Sequence, residues 1–343
     1  MKHRNFTANL KLGKTASTKR SFMKLGAVAL SMSVAVFTGC QKNSAVAPAK
    51  PVIATTNQQD ELVNTPYGKV PASKVHLVEQ GTEITIVDGS FKKINSTTGA
   101  VLADFGAVAS TSVTNSTTTK GPLTQSFAAT STATTLGNGY YVYAPLPSGK
   151  HIQSFSTSWV VPGAPVAGAD TVQFLWNGAD NADGGSAFMQ PVLCWNNGQG
   201  HIWYLQNWGY ANGAYFHSNV SPAVASGTTV TGVMKQVSAA TGAYKYTIGF
   251  VGYPSITYTQ TYPDPANDVI QCWESYASSY TSFPPNQYIA MKSMNLQYVG
   301  SGTTNQPITW IQSDDGARPT PSGKNTVIQN NGTNHSIVDF YFR

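Results

Sequence analysis

Long apolar runs are missing from this sequence. Its one sustained example, Leu25 to Phe37, is shorter than the roughly 20 residues a membrane-spanning helix needs, so no such span is expected. Charge is scarce as well: 10% of the 343 residues are Asp, Glu, Lys or Arg. No stretch from Gly139 onward keeps a helical period over ten residues, which excludes a bundle or a coiled coil. The three cysteines are Cys40, Cys194 and Cys272, and there is no CxxC, no HExxH and no His/Cys cluster with metal-ligand spacing. Neither a metal nor a cofactor is therefore expected. Glutamate is nearly absent from the larger part of the chain, where Glu274 is the only one after Glu83.

The residues that are abundant point one way. With 31 Gly, 19 Pro and 11% aromatic residues, the composition suits an exported all-β protein with many turns. The basic residues are unevenly spread. Seven Lys/Arg and no acid precede Cys40; setting those seven aside leaves 14 basic against 15 acidic residues. The support for nucleic-acid binding leaves with them. A basic end, then the apolar run, then Val36-Phe37-Thr38-Gly39-Cys40 is the layout of a signal peptide. It resembles a lipoprotein signal in which Cys40 carries the lipid. Residues 1–39 are thus read as a leader, and the expectation is an exported, monomeric protein held at a membrane through Cys40.

Residues 40–74 lack hydrophobic periodicity and read as a tether. Residues 75–106 hold a small β segment. Within it Thr82–Val87 alternates, Asp88-Gly89 marks a hairpin turn and Phe91–Ile94 returns, which gives a pro-segment or accessory hairpin. Residues 107–138, rich in Ser, Thr and Ala, form a linker. From 139 to 343 about a dozen short strands follow one another with no βαβ alternation. The fold class expected is all-β, a two-sheet antiparallel sandwich.

Two strands carry candidate chemistry. Asp268 to Tyr276 reads as a buried strand holding Glu274 between Trp273 and Ser275, where desolvation would raise a carboxyl pKa. Phe188 to Trp195 is apolar except for Gln190, an amide that needs a partner if buried. Pro191 lacks the ladder N–H, which places that strand at an edge or bulges it beside Gln190. Cys194 and Cys272 lie near these residues, either as a disulfide or as two buried thiols.

Taken in order, Val160-Val161-Pro162, Trp176-Asn177-Gly178, Gln190, Ile202-Trp203-Tyr204, Trp208-Gly209-Tyr210 and Trp273-Glu274-Ser275-Tyr276 resemble the glutamic peptidases, the eqolisin family. The resemblance covers about residues 150–300. It implies a concanavalin A-like jelly roll, a catalytic dyad of Gln190 and Glu274, and cleavage of polypeptides at acidic pH. Trp176, Trp203 and Tyr210 would be walls of the groove. Three departures accompany it: Val192, behind Pro191, stands where the family has glycine two places after the glutamine, Thr228 follows Gly227 in place of an acid, and Gln206 and Asn207 stand in the region where the family has a glutamate.

Two other readings compete. A sandwich that binds or cleaves polysaccharide would use Trp176, Trp195, Trp203, Trp208 and Tyr210, with Asp180, Asp183, Asp264 or Asp268 as the second carboxylate of a glycosidase. All four aspartates read as loop residues. His201 and His217 read as strand-end polar residues, with acid–base work as the sharper alternative. A non-catalytic adhesin is the third class.

Overall fold

The computed structural model describes residues 60–108, 138–165, 172–181, 188–276, 282–312 and 326–342. The expected leader, Cys40, most of the tether, nearly all of the linker and Asp183 lie outside the described residues. The chain opens with β1 (Leu62–Thr65) and β2 (Gly68–Pro71), then β3 (Val75–Val78), β4 (Thr82–Val87), β5 (Ser90–Asn95) and β6 (Val101–Ala107). Next come β7 (Asn138–Pro145), β8 (Ile152–Val160), β9 (Gln173–Asp180), β10 (Phe188–Trp195), β11 (Trp203–Ala211) and β12 (Ala214–Ser218). After β13 (Thr229–Ala240), β14 (Ala243–Phe250), β15 (Tyr258–Tyr262) and β16 (Asp268–Ser275), the order ends with β17 (Tyr288–Tyr298), β18 (Ile311–Gln312), β19 (Thr326–Gln329) and β20 (Ile337–Tyr341).

The protein is an all-β sandwich of two large sheets. One, the site sheet, runs β18-β7-β16-β9-β10-β11-β12-β3, and the back sheet runs β19-β20-β17-β8-β13-β14-β15-β4-β5-β6. Turn chemistry sets two of the hairpins. Asp88-Gly89 between β4 and β5, and Asn212-Gly213 between β11 and β12, both hold positive φ at each residue, the conformation whose twist matches paired strands.

The strands of the site sheet read as nearly continuous apolar runs because they are covered on both faces. Every residue of β9, β10 and β16 is buried. Side chains of a strand alternate between faces, and here odd-numbered residues of these strands point between the sheets. Leu175, Leu193, Trp203 and Trp273 pack there with Phe155, Trp159, Tyr246 and Tyr262 of the back sheet. A few amides share that layer and find partners across it. Asn177 donates to the Gly232 carbonyl at 3.3 Å and Gln271 to the Thr157 hydroxyl at 2.6 Å. Gly232 is needed for the approach of the sheets, since a Cβ there would meet the Asn177 carbonyl oxygen and lie 2.9 Å from the Pro191 Cβ. Gly232→Ala is expected to destabilise the fold by about 1–3 kcal/mol through overpacking, read from the midpoint of urea unfolding.

The N-terminal strands are more deeply built in than an accessory hairpin. Strand β3 extends the site sheet by pairing parallel to β12, and β4 pairs parallel to β15 and leads β5 and β6 onto the back sheet. The sandwich is therefore antiparallel except at these two joins. Residues 62–71, assigned to the tether from sequence, form their own two-stranded sheet. Their short apolar positions explain the difference, because Tyr67 and Val70 are buried.

Candidate functional site

The outer face of the site sheet, turned away from the back sheet, holds a second cluster that includes Phe174, Trp176, Phe188, Val192, Cys194, Tyr204, Trp208, Ile270 and Cys272. Even-numbered residues of β9, β10, β11 and β16 lie on it, so the pairing register lays them out in cross-strand rows. Asp268 faces Asp180, Asp180 faces Phe188, Phe188 faces Tyr210 and Tyr210 faces Tyr215. In the next row Ile270 faces Gly178, and Gln190 faces Trp208, which faces His217. Since Met189 faces Ala179 and Val192 faces Trp176, Gln190 stands opposite Gly178. Two rows further on, Glu274 faces Phe174, which faces Cys194.

Gln190 and Glu274 share this face but do not meet. They are two strands and two rows apart, about 16 Å between Cα atoms at a strand spacing of about 4.8 Å and a rise of about 3.3 Å per residue. The β16 residue in the row of Gln190 is Ile270, not Glu274. The order of motifs puts the glutamate on a strand of this face, and the register sets it four residues along from the row of Gln190.

Strand β10 is interior, flanked by β9 and β11, which rules out the edge position, one of the two alternatives expected from Pro191. The missing N–H acts locally instead: pairing with β9 lapses at Gln190 and Pro191 and resumes at Val192. Gln190 is wholly buried, and neither its Oε1 nor its Nε2 has a hydrogen-bond partner. An amide left so costs about 1–3 kcal/mol.

The three expected walls divide. Trp176 lies on the outer face, its ring edge-on to Phe188 at 5.5 Å and leaning over the space beside Gly178. Tyr210 is also there, 5.0 Å from Tyr215. Trp203 is not a wall. Its position is odd, so it enters the core between the sheets, packs on Trp195 at 5.2 Å and turns its indole N–H to the Gly163 carbonyl. His201 is exposed and stacked on Trp195. His217 lies on the outer face with Nδ1 3.0 Å from the Gln206 amide and 2.9 Å from the Ser218 carbonyl, and burial lowers its pKa. Cys194 and Cys272 are buried thiols separated by β9, and burial pushes the Cys194 thiol up.

Sequence reasoning weighed two further residues only as the second carboxylate of a glycosidase and put them in loops. Asp180 and Asp268, read as loop residues, are the last residue of β9 and the first of β16, each 1% exposed and directly opposed. Side chains so opposed lie on one face with Cβ atoms about 4.5–5.5 Å apart. Burial pushes the Asp268 carboxyl up to about 7, and the nearby Val269 and Ala144 N–H groups offset part of the rise without reaching hydrogen-bond geometry. The signal in the sequence was position: an aspartate closing one strand and another opening its neighbour.

The end of the face that carries this pair is also where the β1–β2 strap lies. Tyr67, 3% exposed, sits with its ring 5.1 Å from both Phe188 and Tyr215 and 6.2 Å from Tyr210. The Tyr276 hydroxyl holds the strap further along by donating to the Thr65 carbonyl at 3.0 Å.

No protein-family model matches this chain, and no curated protein matches it. Among solved structures it is similar to scytalido-glutamic peptidase with a peptide-based transition-state analogue, at 12% identity and a TM-score of 0.38. It is similar to SCP-B, a member of the eqolisin family, in complex with the tripeptide Ala-Ile-His, at 12% identity and a TM-score of 0.36. Each alignment covers 60% of this chain and 98% of the other.

Proposed function

We propose that the outer face of the site sheet binds an extended polypeptide and hydrolyses it with acid–base chemistry in which Gln190 is the fixed amide. The observation that carries this reading is Gln190 itself, fully buried with both polar atoms unpartnered on a face otherwise lined by aromatic side chains. A neutral amide in such a place is suited to hold a water molecule by its oxygen and to donate N–H to the oxyanion that develops on a scissile carbonyl. The strap gives the substrate class, because this face already holds a stretch of polypeptide with a tyrosine ring among three aromatic rings. The ordered motifs from Trp176 to Tyr276 add support from sequence. On this reading the protein is exported, anchored through Cys40, and acts on polypeptides at acidic pH.

Among the described residues, the tryptophans do not favour the polysaccharide alternative. Trp176, Trp195, Trp203 and Trp208 are each at most 5% exposed, and Trp195 and Trp203 belong to the core between the sheets.

The test compares the full-length protein with its Tyr67→Ala variant, which loosens the strap. Digestion of an unfolded protein substrate is followed from pH 2 to 8. Cleavage at acidic pH, at least tenfold faster in the variant, is the expected result. If neither folded chain cleaves or retains the substrate at any pH, the reading is wrong.

A further inference from the structure

The place that Tyr67 fills is built by the site sheet and not by the strap. Phe188 on β10, Tyr210 on β11 and Tyr215 on β12 face one another in a single cross-strand row, one ring from each of three neighbouring strands. Against the Tyr67 ring, Phe188 stands edge-on at 72°, while Tyr210 and Tyr215 are tilted at 43° and 56°. Edge-on and offset arrangements are the ones aromatic pairs prefer. Phe188 is braced in turn by the Trp176 ring. The three rings form a cup with aromatic walls.

The strap holds this cup weakly. Among the described residues, β1 and β2 pair with each other and with neither large sheet, and a two-stranded hairpin alone is marginal in water. Its turn presents Tyr67 at the apex. The Tyr67 N–H donates to the Thr65 hydroxyl oxygen at 3.0 Å, the Thr65 hydroxyl donates to the Gly68 carbonyl at 2.8 Å, and Gly68 takes a φ of 101°. The ring fits the cup, but its hydroxyl does not. That hydroxyl is buried without a hydrogen-bond partner, and burial raises its pKa well above the usual tyrosine range. An unmet buried hydroxyl weakens docking by about tenfold. The walls therefore suit a phenyl ring better than the phenol that occupies them.

We propose that the cup of Phe188, Tyr210 and Tyr215 is a subsite for an aromatic side chain, phenylalanine foremost, of an extended polypeptide, and that Tyr67 occupies it as an internal stand-in. As a site for a peptide side chain, the cup rests on the polypeptide reading above and sharpens it. Its place lets it set how a bound chain lies against Gln190. Phe188 is two residues before Gln190 on the same face of β10, and Tyr210 is two residues beyond Trp208, which faces Gln190. The cup is thus about 7 Å from the amide along the strands, a distance that an extended chain covers in two residues. A short tether holds the internal ring at an effective concentration on the order of millimolar. An incoming chain competes against that, so the preference of the cup is masked while Tyr67 is seated.

The test titrates pentapeptides Ala-Ala-Xaa-Ala-Ala, with Phe, Tyr, Leu or Lys at the centre, into the full-length protein and its Tyr67→Ala variant by calorimetry at pH 7. Urea unfolding confirms that each variant is folded. Tyr67→Ala is expected to bind the Phe peptide at least about tenfold more tightly than the Tyr, Leu or Lys peptide, and at least about tenfold more tightly than the unaltered protein does. Adding Tyr215→Ala removes one wall and should lower the Phe affinity at least about fivefold, with a smaller loss for Leu. Tyr67→Phe reads the same preference inside the chain without emptying the cup: amide hydrogen exchange in the strap should slow about tenfold. Equal affinity for the Phe and Leu peptides, no binding of any peptide to folded Tyr67→Ala, or unchanged exchange in Tyr67→Phe overturns the subsite. The same peptides are then incubated with Tyr67→Ala at pH 4 and analysed by mass spectrometry. Intact peptides together with the Phe preference leave the subsite standing and count against hydrolysis. Cutting that ignores the central residue leaves hydrolysis standing and overturns the subsite.

Discussion

Asp268→Asn should make the protein more stable at pH 8 and change it little at pH 4. The sign follows from where the proton sits. In the unfolded chain this carboxyl titrates near its ordinary value of 3.8, whereas burial raises it to about 7 in the fold. Between those limits the native state holds a proton that the unfolded state has lost, so stability falls as pH rises. Below the lower limit both states are protonated and the group contributes no difference. Above the upper limit the native state holds a buried charge and the whole penalty is present. At about 1.4 kcal/mol for each tenfold change in proton affinity, the loss across the window is on the order of 4 kcal/mol, a large share of a typical domain's stability of about 5–15 kcal/mol. Asparagine has no proton to lose, so the gap between the two stability curves should widen as pH rises through this window. Urea unfolding at half-unit intervals from pH 4 to 8 checks this. Parallel curves for the two proteins would show that Asp268 titrates alike in both states.

The fold was legible in the sequence because its signals are local. Gly and Pro spacing, the Asp88-Gly89 turn and short apolar runs each act within a few residues, and they imply two sheets without any knowledge of pairing. The grouping of Gln190, Trp176, Tyr210 and Glu274 came from the order of motifs and not from alternation, because strands buried along their whole length do not show in sequence which face is which. Trp203 shows how narrow that signal is, since a shift of one residue sends a tryptophan from a groove wall into the core.

Register was not legible. Whether Glu274 or Ile270 shares the row of Gln190 depends on how β16 slides against β9, and both strands are apolar along nearly their whole length, so either alignment buries the same kinds of side chain. The aspartates were read as loop residues for a related reason. At a strand's first or last residue, turn punctuation and a buried acid look the same in one dimension, and only the pairing of Asp268 with Asp180 separates them. The strap was hidden by brevity, as two four-residue strands carry too few apolar positions to stand out from a tether.

Replacing Gln190 by methionine should stabilise the protein while abolishing hydrolysis. Most core substitutions destabilise, so the direction is distinctive. The amide is fully buried and makes no hydrogen bond; exchanging it for an apolar side chain of similar length removes an unmet polar group among Phe188, Val192 and Trp208 and should return about 1–2 kcal/mol. Gln271 is the control. It is equally buried on the opposite face, but its Nε2 donates to Thr157 at 2.6 Å, so Gln271→Met breaks an existing bond and should destabilise by about 1–3 kcal/mol. In the Tyr67→Ala background, Gln190→Met should also lower the hydrolysis rate by at least about a hundredfold, the scale of losing one oxyanion donor. A gain in stability joined to a loss of activity would mark Gln190 as a residue kept for chemistry at the expense of the fold. A loss of stability comparable to that of Gln271→Met would mean that the amide is satisfied in solution and holds the sheet together, and the hydrolase reading would lose the observation on which it stands.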